Sequence, residues 1–519
     1  MTLLPIQFRL RLRSEQVRPA AAMAVIVLFT ILVRAPFNSN SGVDEAFYLV
    51  VGRQWLHGMP PYAGTFDVKP PLLFLLMAAA EALFGFTLWA AKALTTAAVA
   101  TAACGLYLFG RRFTGEIAGS AAAALYIVSA LTLGGTLSPA ELIMAPFTTF
   151  GMLTGLAAVL DRNRIRLPSL LLSGLLFGAA ACIKHTAVFQ AAPLALGLLL
   201  NHQGPARWKT FITFAAGACI VPLGFACYFS AIGHLGDFFE DAAISAIRRA
   251  GVGYMPWGKA ARLMIAGMIT VLPVLAMAGI FWAERRDLRN HPAYPSFRFL
   301  GAWTAGILLG IVVSKGMFFV YALPLLQPFC LAAGGFVQHV LGRIKSPGRR
   351  RFVRIGAVAA AALYTLLVVS HLFLTGGSSV KAAEAAAVLM AREGRRAGDR
   401  ILVVDRDLPV YLAAGIEPPL SIFHPLHLLC DFPLKEAETA LADSIGSNPA
   451  FVVMADAPVT VPCENRGRRA AVEARLAQDY CVLGRFESSI TDWPGPFTVF
   501  GLKERRGTGS AACASSSVR

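Results

Sequence analysis

Charged residues are scarce in this sequence of 519 residues. Asp, Glu, Lys and Arg together make up 15% of the chain, and only 30 residues are acidic, whereas hydrophobic residues make up 56%. Ordinary soluble domains carry about 25% charged residues. The shortage excludes an ordinary soluble chain. It indicates a protein that lies mostly in a bilayer, where ionised side chains are energetically costly.

Three other signatures are missing as well. None of the nine cysteines has the spacing of a metal site, no GxGxxG follows a predicted strand, and no internal repeat is visible. These absences argue against a cysteine-ligated metal site and a dinucleotide site. The net charge of +17 does not indicate nucleic acid, because the basic residues lie in short clusters between apolar runs. That distribution is typical of membrane topology.

Apolar runs long enough to cross a bilayer recur through the first 375 residues. The first run follows a basic stretch and lacks a small-x-small cleavage site, so we predict an uncleaved span. The predicted spans number about eleven: 20–36, 86–109, 117–134, 142–160, 168–183, 186–200, 210–231, 260–282, 299–313, 317–341 and 355–375. The run 72–84 is too short for a separate span and is predicted to form an interfacial or partly buried helix.

The distribution of basic residues predicts the orientation. With a cytoplasmic N-terminus, the cytoplasmic loops are the ones rich in Lys and Arg, and the cluster at 343–354 is the densest. The opposite loops are poorer in basic residues, as the positive-inside rule requires. The sequence therefore predicts an all-α polytopic membrane domain, residues 1–375, with the N-terminus inside and the C-terminus outside.

After residue 376 the composition changes to short β-branched runs separated by amphipathic helical segments. This pattern predicts a small extracytoplasmic α/β domain over residues 376–506, followed by a disordered tail at 507–519. Four cysteines fall in this C-terminal part, where a disulfide can form. Their pairing stays open; they are Cys430, Cys463, Cys481 and Cys513.

The most informative segment is the predicted outer loop, 37–85, where acids and bases lie together behind the first span. Asp44 and Glu45 open a predicted amphipathic surface helix, and Lys69 precedes two prolines. A simpler interpretation is available for each part. Carboxylates stabilise helix N-termini, and a lysine before prolines can snorkel to the interface. The concentration of acid and base in one loop nevertheless favours a catalytic site.

Two other positions on the same predicted face carry polar groups. Glu141 lies in a segment where Ser138 and Pro139 also fit a helix capping box. Lys184 and His185 interrupt an apolar hairpin, either as part of a cavity or as a short polar turn.

Three further polar residues have weaker signals. Lys92 lies about two turns inside the second span, where it can reach the same cavity or snorkel. His424 and His427 could suggest a metal, but no further ligand accompanies them. We therefore predict a solvated loop at this point.

Residues 44–85 resemble the first outer loop of the C-type (GT-C) polyprenyl-phosphate-sugar-dependent glycosyltransferases. The match is greatest to the bacterial aminoarabinose-transferase and Rgt-like group, and protein O-mannosyltransferases are more distant. The acid in 136–141, the Gly-rich span 173–184 ending in Lys, and the Tyr-containing, Pro-ended segment 320–328 agree with it. Val320 stands where a His is usual in this family, and Lys92 where an Arg is common.

The resemblance implies inverting transfer of a sugar from a polyprenyl phosphate. The site residues that it implies are Asp44, Glu45 and Glu141 for catalysis, and Lys69, Arg53, Tyr62, Lys184 and Tyr321 for substrate binding. The implied acceptors are an envelope glycolipid, a polysaccharide or a protein on the periplasmic side of a bacterial inner membrane. No cofactor is certain, and a divalent metal at Glu141 stays open.

Two other classes of protein also stay open. A lipid-linked sugar flippase or other transporter would have many spans and intramembrane charge, although its charges usually lie at broken helices in mid-membrane. A non-catalytic assembly or receptor protein would explain the C-terminal domain but not the acids and bases of residues 44–71. Neither alternative accounts for the loop as well as a transferase does.

Overall fold

The structure is a computed structural model in which the first three quarters of the chain form a bundle of helices. It describes residues 4–160, 166–201, 204–252, 257–283, 294–315, 319–375, 379–429, 435–456, 466–488 and 495–506. The predicted tail at 507–519 lies outside these residues.

The helices of the bundle are numbered here in chain order. They are α1 (Leu4–Arg34), α2 (Val43–Leu56), α3 (Pro71–Phe84), α4 (Leu88–Phe113), α5 (Glu116–Ala130), α6 (Ala140–Leu160), α7 (Leu167–Ala181), α8 (Ala187–Asn201), α9 (Pro205–Ala231), α10 (Leu235–Phe239), α11 (Ala246–Val252), α12 (Trp257–Ile269), α13 (Leu272–Ala283), α14 (Tyr294–Ser314), α15 (Leu326–Arg343) and α16 (Pro347–Thr375). Short π or 3-10 segments at Leu131–Gly135, Glu240–Ser245 and Phe319–Leu325 connect some of them.

Seven helical segments in the described part of the chain are long and apolar enough to cross a membrane, or eight if one bent pair counts as a span. That pair is α12 and α13, which meet at 85°. The predicted spans at 168–183 and 186–200 correspond to apolar helices of fewer than 18 residues, and the one at 299–313 to the short apolar stretch Arg298–Ser314 of α14. The predicted count of eleven is therefore not confirmed. The protein is nevertheless a multi-pass membrane protein.

Small residues allow the helices at the centre of the bundle to approach closely. Helix α4 crosses α5 where Gly110 faces Gly119, and a Cβ built on Gly119 would lie 2.3 Å from the carbonyl oxygen of Tyr107. Helix α15 crosses α5 in the same way at Gly334, whose Cβ would lie 2.3 Å from the carbonyl oxygen of Ala118. Such contacts suit membrane helices, which associate through close packing rather than through the hydrophobic effect.

Helix α2 differs from the surface helix that the sequence predicts. Its apolar residues Phe47, Val50 and Val51 are buried, but Tyr48 and Leu49 between them are buried as well. The helix packs against α3, α4 and the C-terminal domain, so no side of its first three turns is broadly exposed to solvent. The predicted partly buried helix at 72–84 corresponds to α3, which packs along α2.

The C-terminal part contains a four-stranded sheet with helices around it. Its elements are α17 (Ser379–Arg392), β1 (Ile401–Val403), α18 (Pro409–Ala414), α19 (Pro425–Leu429), α20 (Lys435–Gly446), β2 (Phe451–Ala455), α21 (Arg466–Asp479), β3 (Tyr480–Ser488) and β4 (Gly495–Leu502). The strand order is β1-β2-β4-β3; β1 and β2 are parallel, and the other two pairs are antiparallel. The interior of the sheet is apolar, as Val452, Val453 and Val499 are fully buried.

A disulfide bond is present in this C-terminal domain. Cys481 is disulfide-bonded. The other three cysteines of the predicted set, Cys430, Cys463 and Cys513, lie outside the described residues.

Candidate active site

The two adjacent carboxylates at the start of α2 have different environments. Consecutive helical side chains point about 100° apart. The Glu45 carboxylate accepts a hydrogen bond from the amide of Gly42 (2.9 Å) and so caps the helix. It also forms a buried ion pair with Lys92 (Nζ to Oε2, 2.9 Å), and Lys92 donates to the Thr136 carbonyl (2.9 Å). The helix-capping interpretation therefore holds for Glu45.

Asp44 instead faces a group of polar side chains. Its Oδ2 accepts a hydrogen bond from the Tyr48 hydroxyl (2.7 Å), one turn along the helix, and its Oδ1 lies 3.1 Å from Nε2 of His424. Partial loss of hydration raises the pKa of Asp44, but the charge of Lys69 and the hydrogen bonds from His424 and Tyr48 outweigh it. The net result is a pKa well below the usual range, so the carboxyl is ionised throughout the physiological range.

Accessibility separates Asp44 from the other carboxylates nearby. Its side chain is 48% exposed, whereas those of Glu45, Asp67 and Glu141 are at most 3% exposed. An acid must touch its substrate to exchange a proton with it. Of these four acids, Asp44 is the one positioned to do so.

Lys69 lies beside this acid on the segment before α3. Pro70 and Pro71 form the N-terminal boundary of that helix, with Pro70 extended (φ −69°, ψ 157°), which agrees with proline's preference for helix starts. The Lys69 ammonium lies 3.7 Å from Oδ2 of the buried Asp67 and 5.0 Å from the centre of the Tyr48 ring. It remains 18% exposed and can therefore meet a ligand.

Glu141 and Lys184 form a second acid–base pair next to the first. The two side chains are directly hydrogen-bonded, and the Lys184 ammonium lies 3.7 Å from the centre of the Tyr321 ring. The amide of Leu72 donates to the carbonyl of Cys182 (2.9 Å), which ties the Lys69 segment to the turn that carries Lys184. The two pairs are therefore neighbours.

These contacts bring together segments that are distant in the sequence. The first loop, the start of α6, the turn between α7 and α8, and the C-terminal domain meet at one end of the bundle. Burial raises the pKa of Tyr48 well above its usual value, and the charges of Asp44, Asp67 and Glu141 raise it further. The sequence predicts that Asp44, Glu45, Lys69 and Glu141 share one face, and the structure brings them together at one end of the bundle.

Two predicted substrate-binding residues lie elsewhere. Arg53 is nine residues after Asp44 and therefore half a turn away around α2. Its guanidinium contacts Glu81 (3.6 Å), Glu417 (3.5 Å) and the face of Phe86. Tyr62 is buried against Phe229, and its hydroxyl donates to the carbonyl of Lys69, so it supports the lysine from behind.

Two alternatives that the sequence left open do not apply, and one local prediction is wrong. The capping box that Ser138 fits is absent, since the Ser138 hydroxyl donates to the carbonyl of Ala91 (3.3 Å) and Glu141 pairs with Lys184. The loop of His424 and His427 is not solvated, because both side chains are buried. Lys92 does not snorkel either, but is buried with Glu45.

Asp67, His424 and His427 were not among the predicted site residues. His427 lies 3.9 Å from Asp67, and the rings of the two histidines are 4.8 Å apart. Asp67 had a local signal, since it is two residues before Lys69 in an apolar setting, whereas the histidines are more than 350 residues away. Among the described residues, no group of three or more His, Cys, Asp or Glu is arranged to hold a metal ion.

Part of the chain matches the model of a known protein family. Residues 68–229 match the family model described as dolichyl-phosphate-mannose-protein mannosyltransferase. No curated protein sequence matches the chain.

Several solved structures share its fold. ArnT from Cupriavidus metallidurans, bound to undecaprenyl phosphate, is 14% identical with a TM-score of 0.65, covering 92% of this chain and 97% of its own. The oligosaccharyltransferase AglB from Archaeoglobus fulgidus, in complex with an inhibitory peptide and a dolichol-phosphate, is 12% identical with a TM-score of 0.56, covering 85% of this chain and 70% of its own. The arabinofuranosyltransferase AftD from Mycobacteria is 15% identical with a TM-score of 0.50, covering 94% of this chain and 40% of its own.

The chain has the fold of the C-type glycosyltransferases, and the resemblance seen in the sequence is confirmed. Within that class its similarity to ArnT extends over nearly the whole length of both chains, including the C-terminal domain.

Proposed function

We infer that this protein is a membrane glycosyltransferase that moves a sugar from a polyprenyl phosphate to a hydroxyl group on an envelope glycolipid, polysaccharide or protein. The observation that carries the proposal is the pattern of exposure. Asp44 is accessible among three buried carboxylates, and two part-exposed lysines, Lys69 and Lys184, lie in the same region. An accessible base beside two cations fits proton removal coupled to the departure of a phosphate.

The proposed reaction is a single displacement with inversion. The acceptor oxygen attacks the anomeric carbon of the donor, and its proton passes to the Asp44 carboxylate. The bond between that carbon and the phosphate oxygen breaks, and the electron pair leaves with the lipid phosphate. General-base assistance of this kind contributes roughly 10²–10⁴-fold to the rate.

Lys69 and Lys184 would stabilise the charge that develops on the departing phosphate, because preorganised cations act most strongly where charge appears in the transition state. ArnT is bound to undecaprenyl phosphate and AglB to a dolichol-phosphate in their structures, which supports a polyprenyl-phosphate donor here. Tyr321 lines the Lys184 side of this region, and Tyr62 supports Lys69 through its backbone.

The buried acids would act as positioning groups. Glu141 orients Lys184 through their direct hydrogen bond, and Glu45 fixes the first turn of α2, which carries Asp44. Arg53 would hold α2 against α3 and the C-terminal domain rather than bind the donor. The distribution of basic loops supports a periplasmic location for the site, in a bacterial inner membrane.

Replacing Lys69 tests the donor-phosphate contact. We expect Lys69→Ala to weaken binding of undecaprenyl phosphate by about 10- to 100-fold, since a hydrogen bond to a charged group contributes about 1.5–3 kcal/mol. Lys69→Arg should retain most of the affinity. Binding to purified protein is measured with undecaprenyl phosphate itself, and Lys209→Ala, an exposed lysine on α9, serves as the control. Unchanged binding in Lys69→Ala would remove Lys69 from the phosphate site.

The acceptor and the sugar are identified by comparing envelope glycans with and without the gene by mass spectrometry. We expect one sugar to be missing in the deletion strain. Membranes incubated with a radiolabelled polyprenyl-phosphate sugar then separate the proposal from transport. Label on a new product supports a transferase, whereas label that only crosses the bilayer on its lipid supports a flippase.

A further inference from the structure

Residues 417–428 of the C-terminal domain make several direct contacts with the first loop. The amide of Phe66 donates to the carbonyl of Ser421 (3.0 Å), and the ring of Phe423 lies 4.7 Å from that of Phe47 on α2. At the end of α2, His57 is hydrogen-bonded to Glu417 (2.6 Å). This segment therefore has a fixed register on the residues around Asp44.

His424 lies at the centre of that contact. Its ring is buried, with an edge against Phe47 (5.0 Å between centres) and Nε2 3.1 Å from Oδ1 of Asp44. The ionisable groups that face it come from three elements. They are Asp44 on α2, Asp67 and Lys69 on the loop before α3, and His427 on α19, which begins one residue after His424.

We propose that His424 is a positioning residue for Asp44, so that the C-terminal domain completes the active site rather than only covering it. The inference rests on the proposed function of Asp44 as the base. It adds a side chain from a segment about 380 residues away in the sequence to a site otherwise built from the membrane domain.

The geometry explains what His424 contributes. Tyr48 donates to Oδ2 of Asp44 and His424 to Oδ1, so each carboxylate oxygen has one fixed donor. The plane of the carboxylate is thereby set, and each oxygen keeps a lone pair for an incoming hydroxyl. Removing one donor would let the carboxylate rotate, and small misplacements of a catalytic group can cost as much as about 10²-fold in rate.

The contact requires a proton on Nε2 of His424, and the neutral ring supplies it in its Nε2–H tautomer. Burial lowers the pKa of His424, against the opposing influence of the Asp44 carboxylate, so the neutral form is favoured at neutral pH. As the pH falls through that lowered pKa, the ring gains a proton and forms an ion pair with Asp44, which makes the carboxylate a weaker base. We therefore expect kcat to fall on the acidic side, below the ordinary histidine pKa of about 6.5.

Two substitutions at this position separate orientation from packing. We expect His424→Ala to lower kcat by about 10- to 100-fold with little change in the KM for the donor, because the lysines that face the phosphate are untouched. His424→Gln keeps an N–H donor and should recover most of kcat. Because glutamine does not titrate, the fall in kcat at acidic pH (the acidic limb of the pH profile) should disappear. The donor is undecaprenyl phosphate carrying the sugar identified by the envelope comparison.

Ser421→Ala is the matched control. The Ser421 side chain is exposed, and its contact with the first loop is made by the backbone carbonyl, so activity should be unchanged. Thermal unfolding of each variant is recorded alongside. If His424→Ala is too unstable to assay, the activity and pH profile of His424→Gln decide the question.

The outcomes distinguish this inference from the function on which it rests. Wild-type kcat in His424→Ala, or an unaltered acidic limb in His424→Gln, overturns the positioning role. If Asp44→Asn is inactive in the same assay, the proposed function then stands without it. If Asp44→Asn is fully active, the proposed function fails and the role of His424 fails with it.

Discussion

The Asp44→Asn protein should insert and fold normally but transfer no measurable sugar. Asparagine has nearly the shape of aspartate and its oxygen can accept one of the two hydrogen bonds from Tyr48 and His424. It cannot accept a proton from an attacking hydroxyl. Because general-base assistance contributes about 10²–10⁴-fold, we expect a loss of at least about 10²-fold in kcat. Label transfer from a polyprenyl-phosphate sugar, assayed on purified protein, measures the loss.

A matched control distinguishes chemistry from a general effect of removing an acid. Asp237 on α10 is an exposed carboxylate outside the site, paired with His234 at 2.7 Å. Asp237→Asn should retain wild-type transfer, because exposed ion pairs contribute little. Binding of undecaprenyl phosphate by Asp44→Asn should persist, since the lysines remain. Transfer by Asp44→Asn at the wild-type rate would exclude Asp44 as the base.

Replacing Lys92 with methionine should produce the largest loss of stability in the membrane domain. The ion pair with Glu45 is buried on both sides, and Lys92 also donates to the carbonyl of Thr136. Removing one partner leaves the Glu45 carboxylate buried without its counter-charge. Such changes cost about 3–5 kcal/mol. The free energy of unfolding in detergent is the quantity to measure.

The double substitution Lys92→Met with Glu45→Gln is the decisive control for this pair. It removes both charges, so most of the lost stability should return, and the coupling between the two sites should exceed about 0.5 kcal/mol. Lys92→Arg should keep the charge and much of the stability. Purely additive effects in the double variant would show that the contact between Lys92 and Glu45 is energetically unimportant.

The sequence was sufficient to predict much of the candidate site because charge is rare in its apolar surroundings. Asp44, Lys69, Glu141 and Lys184 each interrupt a hydrophobic context, and the basic loops predicted that they share one side of the membrane. The structure brings these four together. Their pairing was not predictable, since Glu141 also fitted a local helix cap and only the bundle packing places Lys184 next to it.

The sequence interpretation also did not predict which way the side chains of α2 point. Asp44 and Arg53 lie on opposite sides of the helix, which the helical period could have indicated. Glu45 turns toward Lys92, a partner on another helix. No local signal links His424 to Asp44, because the burial of His424 depends on the C-terminal domain packing against residues about 380 positions earlier. For the same reason, a loop that looked solvated is part of the core.

The number of membrane spans could not be predicted from the sequence for a different reason. Helices α7 and α8 are too short to meet the length criterion, and α12 and α13 meet at 85°. Hydropathy windows report apolar length but not a bend within it. The predicted order of apolar segments is recognisable in the bundle, although the number of complete crossings is not confirmed.

The central claim is that Asp44 removes the acceptor proton while a polyprenyl phosphate departs. The most direct test follows both products in one reaction, with wild-type protein and Asp44→Asn side by side in liposomes containing the donor and an envelope glycan fraction as acceptor. The account predicts equal amounts of labelled glycan and free polyprenyl phosphate from the wild type, and neither from Asp44→Asn. Equal product formation by the two proteins, or label that stays on its lipid with the wild type, would contradict it.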